Sequence, residues 1–256
     1  MASEDTGKGS QLRHMLEDAK REIDEFGGLA AFKTGEWVFA LVQKSFRSYF
    51  ENANGDYFRA KYKTSDNDLV ATKLIRVAAG NATALGALTG LAVGGDELLT
   101  FVTGGVGLPA NIAIAVTALA AEAVLFLRMQ LQLVAELAKL YGAPLDPEDP
   151  EDILLILAFA VGGSAAEEAG KFAAKVGGKL TSGVVRKIIR KDVLKALQSL
   201  GRKIGIKILQ RSVIKYAVPV ASTLIGAAWN RTMMKSVGRV AKNHMCDRAL
   251  ARPEAA

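Results

Sequence analysis

The chain has 256 residues, half of them hydrophobic, with 25 Gly, 6 Pro, a single Cys and a formal net charge of +7. This is length enough for a sizeable core, while one cysteine, Cys246, excludes an intramolecular disulfide and a cysteine-based zinc framework. The charge is sharply divided: residues 1–170 hold 14 Lys+Arg against 23 Asp+Glu, and residues 171–256 hold 19 against 3. A basic third of that strength implies an anionic partner: lipid headgroups, nucleic acid or an acidic protein face, the last partly available within the same chain.

In chain order, residues 1–9 read as a disordered start and residues 11–26 as a charged amphipathic helix that Gly27-Gly28 ends. Residues 29–50 form a second amphipathic helix, with Trp37, Leu41, Phe46 and Tyr49 at helical spacing, and the Asn-Ala-Asn-Gly run at 52–55 breaks it. Ser65 followed by Asp68 has the pattern of a helix cap, and the helix it opens carries Leu69, Leu74, Ile75 and Val77 into an uncharged stretch. Residues 77–95 then run for 19 positions without a charge and residues 98–121 for another 24, separated by Asp96-Glu97. Gly104, Gly105, Gly107 and Pro109 interrupt the second run. Proline suits the first turn of a helix, so a new helix is expected to start there and to run past Arg128 to Tyr141, where Gly142 and Pro144 stop it. The shape implied is an α-hairpin with a Gly-Pro tip. An acidic turn at 146–152 leads to a further helix capped by Asp149, and shorter Gly-punctuated segments follow; residues 184–217 are basic and amphipathic, and Pro219 opens a last helix. No strand pattern competes with these helices.

Two features bear on function. In the first hairpin arm Ala82, Gly86, Gly90 and Gly94 recur every fourth residue and form a small-residue stripe that lets helix backbones approach closely, in a membrane or in a soluble core. A bilayer span needs about 20 apolar residues, so the arms are borderline, and partial insertion is expected over full crossing. Glu122 in the second arm is costly if it faces lipid. In the basic third, Lys187, Arg190, Lys191, Lys195, Arg202, Lys203 and Lys207 alternate with Val185, Ile189, Val193, Ala196, Leu200 and Ile204. A helix with cations on one side and aliphatics on the other lies in the headgroup plane of an anionic membrane, and each cation near such a surface contributes about 1 kcal/mol.

Sequence-specific nucleic-acid recognition is not expected, because only Phe172, Gln198 and Gln210 stand among the cations as residues that stack on or read bases. Established catalytic and metal motifs are absent from the sequence: His244 and Cys246 form a His-x-Cys pair without further ligands, and Asp96, Glu97 and Glu122 could meet as a carboxylate cluster across the hairpin, although Asp96-Glu97 read better as a helix end or turn in water. No catalytic, cofactor or metal site is therefore assigned.

The stretch Gly-Gly-Val-Gly-Leu-Pro-Ala-Asn at 104–111, then Leu127-Arg128-Met129, then Leu-Ala-Lys-Leu-Tyr-Gly at 137–142 resembles the EcsC protein family, in which a Gly-rich turn and a Pro precede a long helix ending in a Tyr-Gly pair and an acidic turn. Pro219, Gly226, Asn230 and Val237-Gly238-Arg239-Val240-Ala241 match the family's closing pattern, and the resemblance spans roughly residues 30–250. Asn111 stands where the family usually carries an acidic residue. The resemblance implies a peripheral or membrane-embedded bacterial protein without defined chemistry.

The expectation is an all-α bundle of about seven to nine helices around a Gly/Ala-rich central hairpin, with a disordered start and charged helix over 1–28, one helical domain over 29–250 and a disordered tail over 251–256. The chain begins without a basic segment followed by an apolar one and neither end carries a lipidation motif, so the expected location is the cytoplasm, at the inner face of the cell membrane. The expected role is that of a non-enzymatic accessory or scaffold protein bound to anionic lipid, with a membrane protein complex as a further candidate partner and no cofactor. The alternative is a soluble bundle holding a lipid or other apolar ligand between its Gly-rich helices.

Overall fold

The computed structural model describes residues 2–25, 27, 36–94, 108–143, 145–146, 152, 156 and 219–250. Among the described residues there are six helices and no strand: α1 (Ala2–Glu25), α2 (Glu36–Asn52), α3 (Gly55–Tyr62), α4 (Asn67–Gly94), α5 (Leu108–Leu140) and α6 (Pro219–Leu250). The all-α bundle expected from periodicity is what the chain forms.

α5 is the axis of the bundle and touches each of the other five helices. Ala120, Ala121, Val124, Leu125, Leu127, Leu131, Leu133, Val134, Ala135, Leu137, Ala138 and Leu140 are all buried. These positions occupy most of the helix circumference, which is the pattern of a helix enclosed by others rather than laid on a surface. Pro109 stands in its first turn, where its missing N–H is not needed. At the other end Gly142 adopts a φ of +63°, a left-handed conformation that ends the helix at little steric cost.

α1 and α2 pack on one part of α5. Leu16, Ala19 and Ile23 of α1 lie three or four residues apart and are buried, as are Trp37, Val38, Leu41, Val42 and Phe46 of α2. α1 begins at Ala2, so residues 2–9, expected to be a disordered start, are helical backbone continuous with 10–25. Once a helix is nucleated each further turn needs only propagation, and Glu4 and Asp5 stand near the end of the helix that favours negative charge. Gly27, with a φ of +96°, follows the end of α1 as its sequence suggested.

α3 has no counterpart among the helices expected from sequence. The side chain of Asn54 accepts from the Asp56 and Tyr57 amides and caps it. Lys63, at a φ of +52°, closes it with bonds from the Lys63 and Thr64 amides to the Ala60 and Arg59 carbonyls. This short helix seals the C-terminal end of α5: Arg59 donates to the Leu140 carbonyl at 2.9 Å, and a Cβ on Gly55 would come within 3.1 Å of the Lys139 carbonyl oxygen. A guanidinium at that position satisfies an orphan carbonyl and complements the negative end of the helix dipole.

α4 and α6 form the most extensive helix pair, and they run antiparallel. The N-cap of α4 is Asp66, whose carboxylate accepts from the Asp68 and Leu69 amides at 2.8 and 3.2 Å; Ser65, the expected cap residue, sits one position before it. Along the pair, Gly86 meets Gly226 and Asn230, and Ile75 meets Gly238. A Cβ on Gly86 would lie 2.7 Å from the Gly226 carbonyl oxygen and 2.8 Å from Asn230 Nδ2. That approach explains why glycine is required there. Gly80 has nothing within 4 Å of the same hypothetical atom.

Gly86→Ala is expected to lower stability by about 1–3 kcal/mol, because backbone must move to admit the methyl. Gly80→Ala, in the exposed interior of the same helix, is expected to raise it by about 0.5–1 kcal/mol. Thermal or urea unfolding of the two variants checks both signs at once.

Candidate functional site

Of the small-residue stripe, Ala82 and Gly86 are buried, and the close approach that Gly86 makes is to α6. Gly90 and Gly94 complete the last turns of α4. Pro109 occupies the start of α5, while Gly104, Gly105 and Gly107 lie outside the described residues. So do Asp96 and Glu97, and so do Lys187, Arg190, Lys191, Lys195, Arg202, Lys203 and Lys207, the residues assigned to lipid headgroups.

Three polar constellations are built into the described bundle. The first sits where α4, α5 and α6 cross. Asn230 Nδ2 donates to Glu122 Oε1 at 2.8 Å, with Asn230 1% and Glu122 5% exposed. Thr89, also buried, returns its hydroxyl to the Leu85 carbonyl of its own helix at 2.9 Å. Glu122, flagged as costly against lipid, thus faces protein and a partner amide. At Gly86 the helices meet backbone to backbone, which leaves no room for a ligand at that point.

The second joins α1, α2 and α5. The Glu22 carboxylate is nearly inaccessible and lies between Lys44, at 3.1 Å, and Arg128, whose guanidinium it contacts directly. Lys44 also reaches Glu25 at 3.4 Å. A buried carboxylate is tolerated only when paired, so Glu22 locks the N-terminal helix to the bundle axis.

The third runs along the far end of α6. Tyr141 donates to Asp68 at 2.5 Å and Lys242 approaches the other Asp68 oxygen at 3.0 Å. These contacts, the tyrosine bond foremost and the lysine second, hold the Asp68 carboxyl below its ordinary range, while burial first and then the bond to Asp68 push the Tyr141 phenol up. Nearly two turns further, Arg248 grips Asp152 with two nitrogens, at 2.7 and 3.3 Å, and Asp152 Oδ2 accepts the Asp146 amide at 2.7 Å. His244 lies near this group; burial, and after it the Arg248 cation, depress its pKa against the opposing pull of Asp247 and Asp152.

Chemically the first is a hydrogen-bonded amide and carboxylate, and the other two are fixed charge pairs. Among the described residues no three His, Cys, Asp or Glu side chains gather as a metal site. Among the same residues no helix is long and apolar enough to cross a membrane. Several residues that carry the family resemblance prove to be packing residues: Gly226, Asn230 and Gly238 are the α6 positions that meet Gly86, Glu122 and Ile75. No protein-family model, characterised protein or solved structure matches the chain.

Arg128→Met should leave the buried Glu22 with Lys44 as its remaining ion-pair partner among the described residues and lower stability by about 3 kcal/mol or less, and the double replacement of Glu22 and Arg128 by Met should recover most of that loss; denaturant titration of the cycle reads the coupling. His244 gives a second test. Its folded pKa lies below the ordinary value near 6.5, so the unfolded chain takes up the proton first. Stability should therefore be full above that pH and fall as the pH drops through it, and His244→Gln should flatten the fall between pH 7 and 5.5.

Proposed function

We propose that the chain is a non-enzymatic, EcsC-like accessory or scaffold protein that binds anionic lipid at the cytoplasmic face of a membrane. The observation that carries this is the excess of 19 Lys+Arg over 3 Asp+Glu in residues 171–256. Some of the acidic side chains are already paired within the acidic part of the chain. Glu17 and Asp18 pair with Lys20 and Arg21 on α1, Asp56 with Arg59 on α3, and Glu22 with Lys44 and Arg128. From the basic third, Lys242 and Arg248 do find acidic partners, in Asp68 and Asp152. The spacing of the seven cations between 187 and 207 gives the remainder a lipid-facing side with aliphatics beside it.

Binding of this kind is electrostatic first and apolar second. It strengthens with the anionic content of the bilayer and weakens with salt, because the Debye length shortens from about 10 Å at 0.1 M to about 3 Å at 1 M. Purified protein is expected to sediment with vesicles containing phosphatidylglycerol and not with pure phosphatidylcholine vesicles. Neutralising Lys187, Arg190, Lys191 and Lys195 together should weaken that binding by roughly tenfold or more. Protein that stays in the supernatant with both vesicle types at low ionic strength defeats the proposal.

A further inference from the structure

α4 buries one side in the bundle, through Val70, Ala71, Leu74, Ala79, Ala82 and Leu85. Its other side is not the polar surface that a solvated helix presents. Leu69 and Val77 are 45% and 53% exposed there. Lys73 stands between them, one turn from each, and Arg76, Gly80 and Ala84 are exposed on the same side. At about 100° per residue all six positions fall within an arc of about 100°, and from Leu69 to Ala84 they run about 22 Å along the helix. A Cβ on Gly80 would meet nothing within 4 Å, so the middle of this strip is low and open.

α3 continues the strip at its start. Lys73 Nζ lies 5.1 Å from the centre of the Tyr62 ring, and Lys61 Nζ lies 5.9 Å from that ring and 5.5 Å from the ring of Tyr57. Tyr57 is itself well exposed. Three of the six large apolar side chains exposed among the described residues, Tyr57, Leu69 and Val77, are thereby gathered on one continuous surface. Such clusters, rimmed by charge, mark contacts with other molecules.

The charge of the strip has one sign. Lys61, Lys73 and Arg76 enter no ion pair among the described residues. The carboxylates nearby in sequence are engaged: Asp56 with Arg59, Asp66 with the Asp68 and Leu69 amides, and Asp68 with Tyr141 and Lys242. Glu136 of α5 feels the Lys61 cation, yet burial dominates its carboxyl and raises its pKa, which makes it a weak counter-charge.

We infer that this face of α3 and α4 docks an acidic amphipathic helix of a partner protein. Carboxylates of that helix meet Lys61, Lys73 and Arg76, and its apolar side chains settle on Leu69 and Val77, while Gly80 and Ala84 let its backbone come close. A strip one helix wide with a low centre receives a second helix better than a flat bilayer. Single-stranded nucleic acid fits less well, because lysines already lie over the tyrosine rings on which bases would stack and a phosphate chain has no use for Leu69 and Val77. The inference adds a protein partner to the proposed lipid binding and does not rest on it, since the cations assigned to lipid stand between 187 and 207.

Full-length protein is titrated with a fluorescein-labelled peptide of about 18 residues, about five turns of helix, with glutamate along one side and leucine along the other. A matched peptide with serine for leucine, an oligothymidylate and phosphatidylglycerol vesicles are run beside it. Anisotropy reads binding, and mass spectrometry reads how far each ligand protects Lys61 and Lys73 from acetylation by N-hydroxysuccinimidyl acetate. The glutamate-leucine peptide should protect both lysines. It should bind roughly tenfold more weakly to K61Q/K73Q/R76Q and to L69S/V77S, with unchanged helical circular dichroism, whereas K61R/K73R/R76K should bind as the parent does. Absence of protection at Lys61 and Lys73 overturns the inference. So does binding that survives both sets of substitutions but is lost when Lys187, Arg190, Lys191 and Lys195 are neutralised, a result that leaves lipid binding untouched. Equal binding of the serine peptide shows that charge alone suffices and removes the apolar docking face. Stronger protection by the oligothymidylate or by the vesicles than by the peptide overturns a protein helix as the occupant.

Discussion

The crossing of α4 and α6 at Gly86 is the constraint on which the rest of the bundle depends. With no side chain between them the two backbones meet, and Asn230 of α6 is brought close enough to α5 to bond Glu122. Three helices are thereby tied at one point, and the tie is sensitive to register. A shift of α6 by one residue would rotate Asn230 by about 100° and break its bond to the buried Glu122 carboxylate. The same antiparallel register recurs at Ile75 against Gly238 and at Asp68 against Lys242. From Gly86 to Asp68 is 18 residues, or about 27 Å of helix. Contacts spread over that length define the pair far better than any one of them alone.

Buried charge in this protein is arranged around the axis helix. Glu22 with Arg128 couples α1 to α5, and Glu122 with Asn230 couples α6 to α5. An ion pair such as Glu22 with Arg128 contributes little net stability over apolar replacements, because desolvation offsets much of the attraction. Their effect lies in selection: an α5 that is apolar around most of its circumference could accept neighbours in many rotations, and the two carboxylates admit few. The Arg59 bond to the Leu140 carbonyl works in the same way, since it places α3 at one end of α5 and nowhere else.

Much of this was legible beforehand, for reasons that can be traced to particular residues. The burial of Trp37, Leu41 and Phe46 follows from their helical spacing, and the bounds of α5 follow from Pro109 and Gly142, which act locally. α3 was not legible, because eight residues of mixed polarity carry no period and because Asn54 had been read only as part of a breaker. It is both: one helix ends at Asn52 and the next is capped two residues later. The stripe at Ala82 and Gly86 was visible as a face, yet nothing in one helix names the helix that will lie against it. Glu122 was visible as a problem, and its answer, Asn230, stands 108 positions away. Separation in sequence hides partners even when both are conspicuous.

The same sorting applies to the basic end of the chain. A cation that folding needs is met by a carboxylate at a defined place, as Lys242 is by Asp68 and Arg248 by Asp152. Arg231, Lys235 and Arg239 belong to the same helix and are left to solvent, although acidic side chains are plentiful elsewhere on the chain. Three cations within about 12 Å repel one another and gain nothing from the fold in return. An anionic group brought to them would offset that repulsion, and the proposed lipid association is one source of such a group.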